Sequence, residues 1–168
     1  MKRSLVILPL AAALLAGCTL RPLYSGGARG DVAQSLRSVT ISPIPGRAGY
    51  LVRGALADRL GGQNGSPRYR LDVELDDRIT GFGIRLDDAV TRERRTLRAR
   101  YRLVDIQLGT VLLDATAGSD AGIDVVGSEY ATVAAEQTAL ERLSEVIADQ
   151  IVSRVALFVS RTPAAVQR

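Results

Sequence analysis

Strict alternation of apolar and polar positions marks three segments of this chain. Tyr69, Leu71, Val73 and Leu75 interleave with Arg68, Arg70, Asp72, Glu74 and Asp76, the period-two signature of a strand with one buried and one wet face. The pattern returns at Leu97, Ala99, Tyr101 and Leu103 against Arg98, Arg100 and Arg102, and again at Val111, Leu113 and Ala115 with Leu112 on the other face. The first two segments are expected to pair antiparallel, and Gly109 supplies a tight turn between the second and third. A shorter alternation, Val39 and Ile41 against Ser38, Thr40 and Ser42, predicts a brief first strand that Pro43 and Pro45 end.

Two stretches carry the helical period instead. From Ala48 to Leu60, Val52, Leu56 and Leu60 recur every four residues with Leu51 and Ala55 beside them, and Gly61-Gly62 reads as the C-cap. A longer helix is entered at Ser128 and Glu129; its stripe is Leu140, Leu143, Ile147, Ile151, Val155 and Phe158, and Thr162-Pro163 ends it. Unbroken, it would run roughly 45 to 50 Å. Gly81 and Gly83 around Phe82 predict a loop between the second and third strands, and Asp120 to Gly127 a second loop. The order β-α-β-β-β-α predicts an α+β two-layer sandwich, a mostly antiparallel four-stranded sheet with two helices on one face. The other face is then open and largely arginine.

The N-terminus follows a different logic. Lys2 and Arg3 precede an apolar run from Leu5 to Ala16, too short for the roughly 20 residues of a spanning helix, and Leu15-Ala16-Gly17-Cys18 reads as a bacterial lipobox. The expected organisation is a signal peptide at 1–17, a lipidated flexible tether at 18–35, one domain at 36–161 and a disordered tail at 162–168. Cys18 is the single cysteine, so its sulfur is free to take a diacylglyceryl thioether, and with further acyl chains of the palmitate kind anchoring becomes effectively permanent. Thr19 stands where Asp commonly retains lipoproteins at the inner membrane, which implies the periplasmic leaflet of the outer membrane.

Composition excludes most enzymology. The chain has no histidine and no tryptophan, and Lys2, its one lysine, leaves with the signal peptide. Ser-His-Asp triads, Cys-His pairs, histidine zinc sites and Schiff-base lysines are therefore impossible. A carboxylate-dependent hydrolase would have to use Asp76-Asp77 or Asp87-Asp88, and both pairs read as solvated loop ends among arginines. No catalytic residue, metal site or cofactor is expected beyond the covalent lipid on Cys18.

Net charge is +4, and the basic side chains of the mature chain are all arginine, a preference that GC-rich codon usage also produces. Arg92 to Arg102 contains six arginines and the single acid Glu93, with Arg85 just before. Cross-strand pairing with Asp72, Glu74 and Asp76 would neutralise part of this face; the excess favours an anionic partner. Nucleic acid is not expected in the periplasm, and stacking aromatics are missing because Tyr101 faces the core. Phosphorylated lipid fits.

The chain resembles the LptE family of lipopolysaccharide-assembly lipoproteins in its alphaproteobacterial form. The resemblance rests on the lipobox with Cys18-Thr19-Leu20-Arg21-Pro22-Leu23-Tyr24, on Asp88-Ala89-Val90-Thr91-Arg92, on Ala99-Arg100-Tyr101-Arg102-Leu103, and on Tyr130-Ala131 with Ala135-Glu136-Gln137 in the long helix. It implies a non-catalytic outer-membrane lipoprotein that plugs and helps assemble the LptD β-barrel and binds lipopolysaccharide. The family's basic contacts imply Arg85, Arg92, Arg94, Arg95 and the adjoining Arg98 as lipopolysaccharide-binding candidates. The loop before the long helix departs from the pattern: no basic residue lies between Asp114 and Arg142, so that side either does not bind or uses a bridging divalent cation. The alternatives are an auxiliary lipoprotein of an ABC-type lipid transporter and a hydrolase using Asp87 or Asp88.

Overall fold

A computed structural model describes residues 30–62, 66–84, 90–125 and 127–161. Cys18, Arg85, Asp87, Asp88, the expected signal peptide, most of the expected tether and the expected C-terminal tail lie outside these residues. The elements are α1 (Asp31–Arg37), β1 (Val39–Ile41), α2 (Gly46–Leu60), β2 (Tyr69–Ile84), β3 (Val90–Asp105), β4 (Val111–Asp124) and α3 (Glu129–Arg161). The strands form one sheet in the order β1-β2-β3-β4. β1 runs parallel to β2 through the α2 crossover, while β2-β3 and β3-β4 are antiparallel, so the sheet is mixed.

Both helical stripes and the three alternations form a single core. Leu71, Val73, Leu97, Tyr101 and Leu103 of the sheet meet Leu140, Leu143, Ile147, Ile151 and Val155 of α3, with Val52, Leu56 and Leu60 of α2 closing the side. Gly61 ends α2 in the left-handed region at φ +81°, and the Ser128 hydroxyl accepts the Ala131 N–H at 3.4 Å at the start of α3. At 33 residues α3 spans about 50 Å.

Four expectations need correction. Residues 31–35, read as tether, form most of α1, because Leu36 buries against the core and brings the preceding turns with it. The predicted loop at Gly81–Gly83 is strand: Ile79↔Arg95, Phe82↔Arg92 and Ile84↔Val90 continue the ladder, and pairing overrides the low strand preference of the glycines. Likewise β4 runs on to Asp124 instead of yielding to a loop at Asp120, and Asp76 and Asp77 are mid-strand rather than loop ends.

A further correction concerns β4 alone. The β3 register steps from Leu103↔Leu113 to Val104↔Val111, which leaves Leu112 as an extra residue. A bulge of this kind shifts the alternation by one. Leu112 therefore packs against the core with Leu113, and Val111, expected inside, is half exposed.

Ile151 is fully buried and Val146, one face away on α3, is 40% exposed. Ile151→Ala is predicted to cost about 2–5 kcal/mol in denaturant unfolding, and Val146→Ala less than about 0.5 kcal/mol. Equal losses at the two positions would contradict this assignment of the α3 faces.

Candidate binding surface

The face of the sheet away from the helices is a lattice of ion pairs ordered by strand. Its central strand, β3, presents Arg92, Arg94, Arg98, Arg100 and Arg102. β2 on one side presents Asp72, Glu74 and Asp76, and β4 on the other presents Asp114, Asp120 and Asp124. Each flank thus offers carboxylates to the cations in the middle. Arg102 Nη2 lies 3.1 Å from Glu74 Oε1, Arg100 Nη2 2.9 Å from Asp114 Oδ2, Arg98 Nη2 3.8 Å from Asp120 Oδ1 and Arg92 Nε 3.2 Å from Asp124 Oδ1. Arg70 and Arg78 are held along β2 by Asp72 and Asp76, each at 2.9 Å.

This face is closer to neutral than the segment 92–102 alone implies. Glu93 alternates to the helix side, and the balancing acids come from β4, whose outward positions share the even parity of 114, 120 and 124. A trough of about 790 Å³ crosses the face, lined among others by Glu74, Asp76, Arg98, Arg100, Thr116 and Asp120. Gly118 makes part of its floor: a Cβ there would stand 2.6 Å from Arg98 Cδ and Nη1, so the guanidinium lies flat across the bare backbone.

The candidates separate on this geometry. Arg85 lies outside the described residues. Arg95 belongs to the other face: it has the parity of Leu97 and Ala99, makes a bidentate pair with Asp77 at 2.9 and 2.6 Å, and donates from Nη1 to the Glu136 carbonyl of α3 at 2.9 Å. Its side chain is 12% exposed, so it ties sheet to helix. Arg92 and Arg98 are exposed and ion-paired. Arg94 is exposed, has no carboxylate partner among the described residues, and sits with its guanidinium carbon 5.4 Å from the Phe82 ring centroid. Arg92, Arg94 and Arg95 lie in β3 rather than in the predicted loop.

Beside Arg94 the sheet runs past its helical cover. α2 packs near β1, so the far half of the inner face is covered only by the first turns of α3, where Ile79, Tyr130 and Val133 are exposed, as is Phe82 on the outer face. This distal end combines exposed guanidinium with exposed apolar groups. Phe82 escaped the sequence reading because its glycine neighbours implied a loop.

The pairing is visible in the acids. The hydrogen bond from Arg100 holds the Asp114 carboxyl below its ordinary value of 3.8, and Arg59 does the same for Asp149. At Asp72 burial works upward, but bonds from Arg70 and from Ser42 Oγ, at 2.5 Å, hold it below the ordinary value. Among the described residues no cluster of acids has the arrangement of a metal site, and no helix is long and apolar enough to cross a membrane.

Together these features define a small two-layer α+β domain with a self-paired charged sheet face, and solved bacterial lipoproteins share its fold. The LptE family model, described as lipopolysaccharide-assembly, matches residues 36–155, and the chain belongs to that family. LptE proteins are non-enzymatic, membrane-associated lipoproteins of lipopolysaccharide assembly. A candidate lipoprotein of Caulobacter crescentus CB15 is similar in structure at 25% identity and a TM-score of 0.65, covering 78% of this chain and 97% of that one. A minor lipoprotein of Acinetobacter baumannii (16% identity, TM-score 0.59, 71% and 90% covered) and the rare lipoprotein B of Shewanella oneidensis (9%, 0.53, 77% and 98%) share the fold. No curated protein matches.

The ion pairs differ in what they hold together. Arg95→Ala is predicted to destabilise by about 1–3 kcal/mol, because it leaves the part-buried Asp77 carboxylate without its partner and removes the tie to α3, whereas Arg100→Ala leaves the melting temperature essentially unchanged. Depressed carboxylates contribute stability above the ordinary carboxylate range and lose it as pH falls through their folded values. Melting temperature should therefore hold down to about pH 5 and drop below about pH 4; a rise in that acidic range would contradict the pairing.

Proposed function

We propose that this chain is an outer-membrane lipoprotein, anchored through Cys18, that plugs and helps assemble an LptD-like β-barrel and binds lipopolysaccharide on its way to the cell surface. The observation that carries the reading, beside family membership, is the outer sheet face. A plug must seat against a barrel lumen that is polar. A face whose guanidinium groups are already paired with carboxylates is costly to take from bulk water, but less so than one of unpaired charges, and a polar lumen can offset part of that cost with hydrogen bonds. It still offers hydrogen-bonding atoms to lumen side chains.

Lipopolysaccharide requires something different, namely cations for lipid A phosphates and apolar surface for acyl chains. The distal end supplies both. Arg94 offers a planar fork unclaimed by any described carboxylate, suited to charge-assisted pairing with phosphate, with Phe82 beside it and ion-paired Arg92 on the same outer face, while Ile79, Tyr130 and Val133 are exposed on the inner side of the same end. Arg98 contributes less, since it is paired and laid over Gly118. Arg95 is reassigned from binding to architecture.

Two measurements test this. Gentle solubilisation of membranes should yield the chain bound to a large outer-membrane barrel protein; recovery as a free monomer, or with an inner-membrane permease, would contradict the plug. Arg94→Glu should weaken lipopolysaccharide binding about tenfold or more without changing the melting temperature, and undiminished binding would remove the distal end as the lipid site.

A further inference from the structure

The end of the sheet opposite Arg94 carries a second exposed apolar feature, the β3-β4 hairpin. Its turn is built around Asp105. The buried carboxylate accepts the N–H groups of Gln107 and Leu108 on Oδ1 at 2.9 and 3.1 Å. The Asp105 carbonyl accepts Gly109 N–H, and the Asp105 N–H donates to the Thr110 carbonyl, both at 2.9 Å. Gly109 completes the turn at φ +66°. Backbone and one carboxylate thus fix the conformation, and the side chains displayed by the turn are not needed to hold it.

Those side chains are large and apolar: Leu108 is 70% exposed, Val111 52% and Ile106 42%. Hairpin turns are ordinarily made from Gly, Asn, Asp and Ser. Three such groups between positions 106 and 111, held outward by a rigid turn, have no role in the core.

Their position says what they meet. Ile106 N–H donates to the Arg68 carbonyl at 3.0 Å, and Arg68 N–H donates to the Ser38 carbonyl at 2.9 Å. The tip is therefore two backbone hydrogen bonds from the residue that follows α1. Since α1 is seven residues long, Gly30 lies within about 12 Å of that point. The stretch of chain from Cys18 to Gly30 reaches at most about 40 Å when extended, so a lipid on Cys18 would tether the domain to a bilayer by this end. Arg37 and Arg68 lie at this end, Arg37 packed against Gly61 at the end of α2 and Arg68 4.0 Å from the buried Asp105.

We propose that the β3-β4 hairpin tip beds into a lipid surface, with Leu108, Ile106 and Val111 at the boundary between headgroups and acyl chains. A bilayer interface takes apolar side chains to a depth of roughly 5–10 Å and requires no complementary pocket, and the arginines around the tip would face anionic headgroups. Before the domain seats in a barrel, the contact would orient it with its Arg94 end away from the membrane. It rests on the proposed lipidation of Cys18 but goes beyond the proposed function, because it needs neither a barrel nor lipopolysaccharide.

The absence of tryptophan from the chain makes a site-specific test possible. Residues 19–168, which retain every described element and lack the lipidated cysteine, are prepared with Leu108→Trp, Tyr50→Trp or Tyr130→Trp as the sole tryptophan. Each is titrated with vesicles of phosphatidylethanolamine and phosphatidylglycerol. The expected result is a blue shift of emission, with quenching by brominated acyl chains, for Leu108→Trp alone. Adding Ile106→Ser and Val111→Ser to that variant should lower its vesicle partitioning about tenfold with an unchanged melting temperature. No shift at position 108, or a shift at Tyr130→Trp in its place, would overturn the proposal. So would a shift at 108 that appears with solubilised outer-membrane protein and not with vesicles, which would assign the tip to a protein partner.

Discussion

The structure depends on the packing of α3 along the inner side of β3 and β4. Ile147, Ile151 and Val155 are fully buried against a sheet whose own inner residues, Leu71, Leu97 and Leu103, are fully buried in return. With two layers and one core, everything else is constrained by this contact. The inner positions of each strand must be apolar, so the outer positions meet water and carry the charge. β3 lies between two long strands, which is why its arginines find carboxylates on both sides. The same packing also leaves the outer edge of β4 beside α3, where Gln150 bonds both backbone groups of Gly118 at 3.1 and 3.3 Å. A side-chain amide there takes the place of a neighbouring strand and blunts an otherwise open edge.

The domain consequently has two unlike ends. At the distal end the sheet outruns α2, with Arg94 and Phe82 exposed on its outer face and Ile79 exposed on its inner face. At the other, α1, the start of β2 and the β3-β4 turn are linked through backbone hydrogen bonds, and the N-terminal segment leads in. Between them the outer face is charged but largely self-paired. The proposed binding end, seating face and anchored end are thus separated along one axis, an arrangement suited to a lipoprotein that bridges a membrane leaflet and the interior of a partner.

Much of this was legible from periodicity. The strands at Tyr69–Leu75 and Leu97–Leu103, the α3 stripe and the Gly61 cap each rest on local rules, and local rules sufficed. Properties set by pairing were not legible. Gly81–Phe82–Gly83 is strand only because β3 lies beside it, and the Leu112 bulge that turns Val111 outward depends on the β3 register. α1 forms where glycine and polar residues imply a tether, because Leu36 has a core to enter. For the candidate surface, the parity of Arg95 with Leu97 already pointed to the helix side, whereas the acids of β4 became its neutralising partners only once the hairpin register was known.

The central claim is that the outer sheet face seats in the lumen of an outer-membrane barrel. Thr116 is exposed on that face within the trough, and replacing it by a photoreactive phenylalanine analogue in living cells tests the claim most directly. Irradiation should give one discrete adduct with a large outer-membrane β-barrel protein. A folded, membrane-bound chain that gives no such adduct, or one joined instead to an inner-membrane permease, would contradict it.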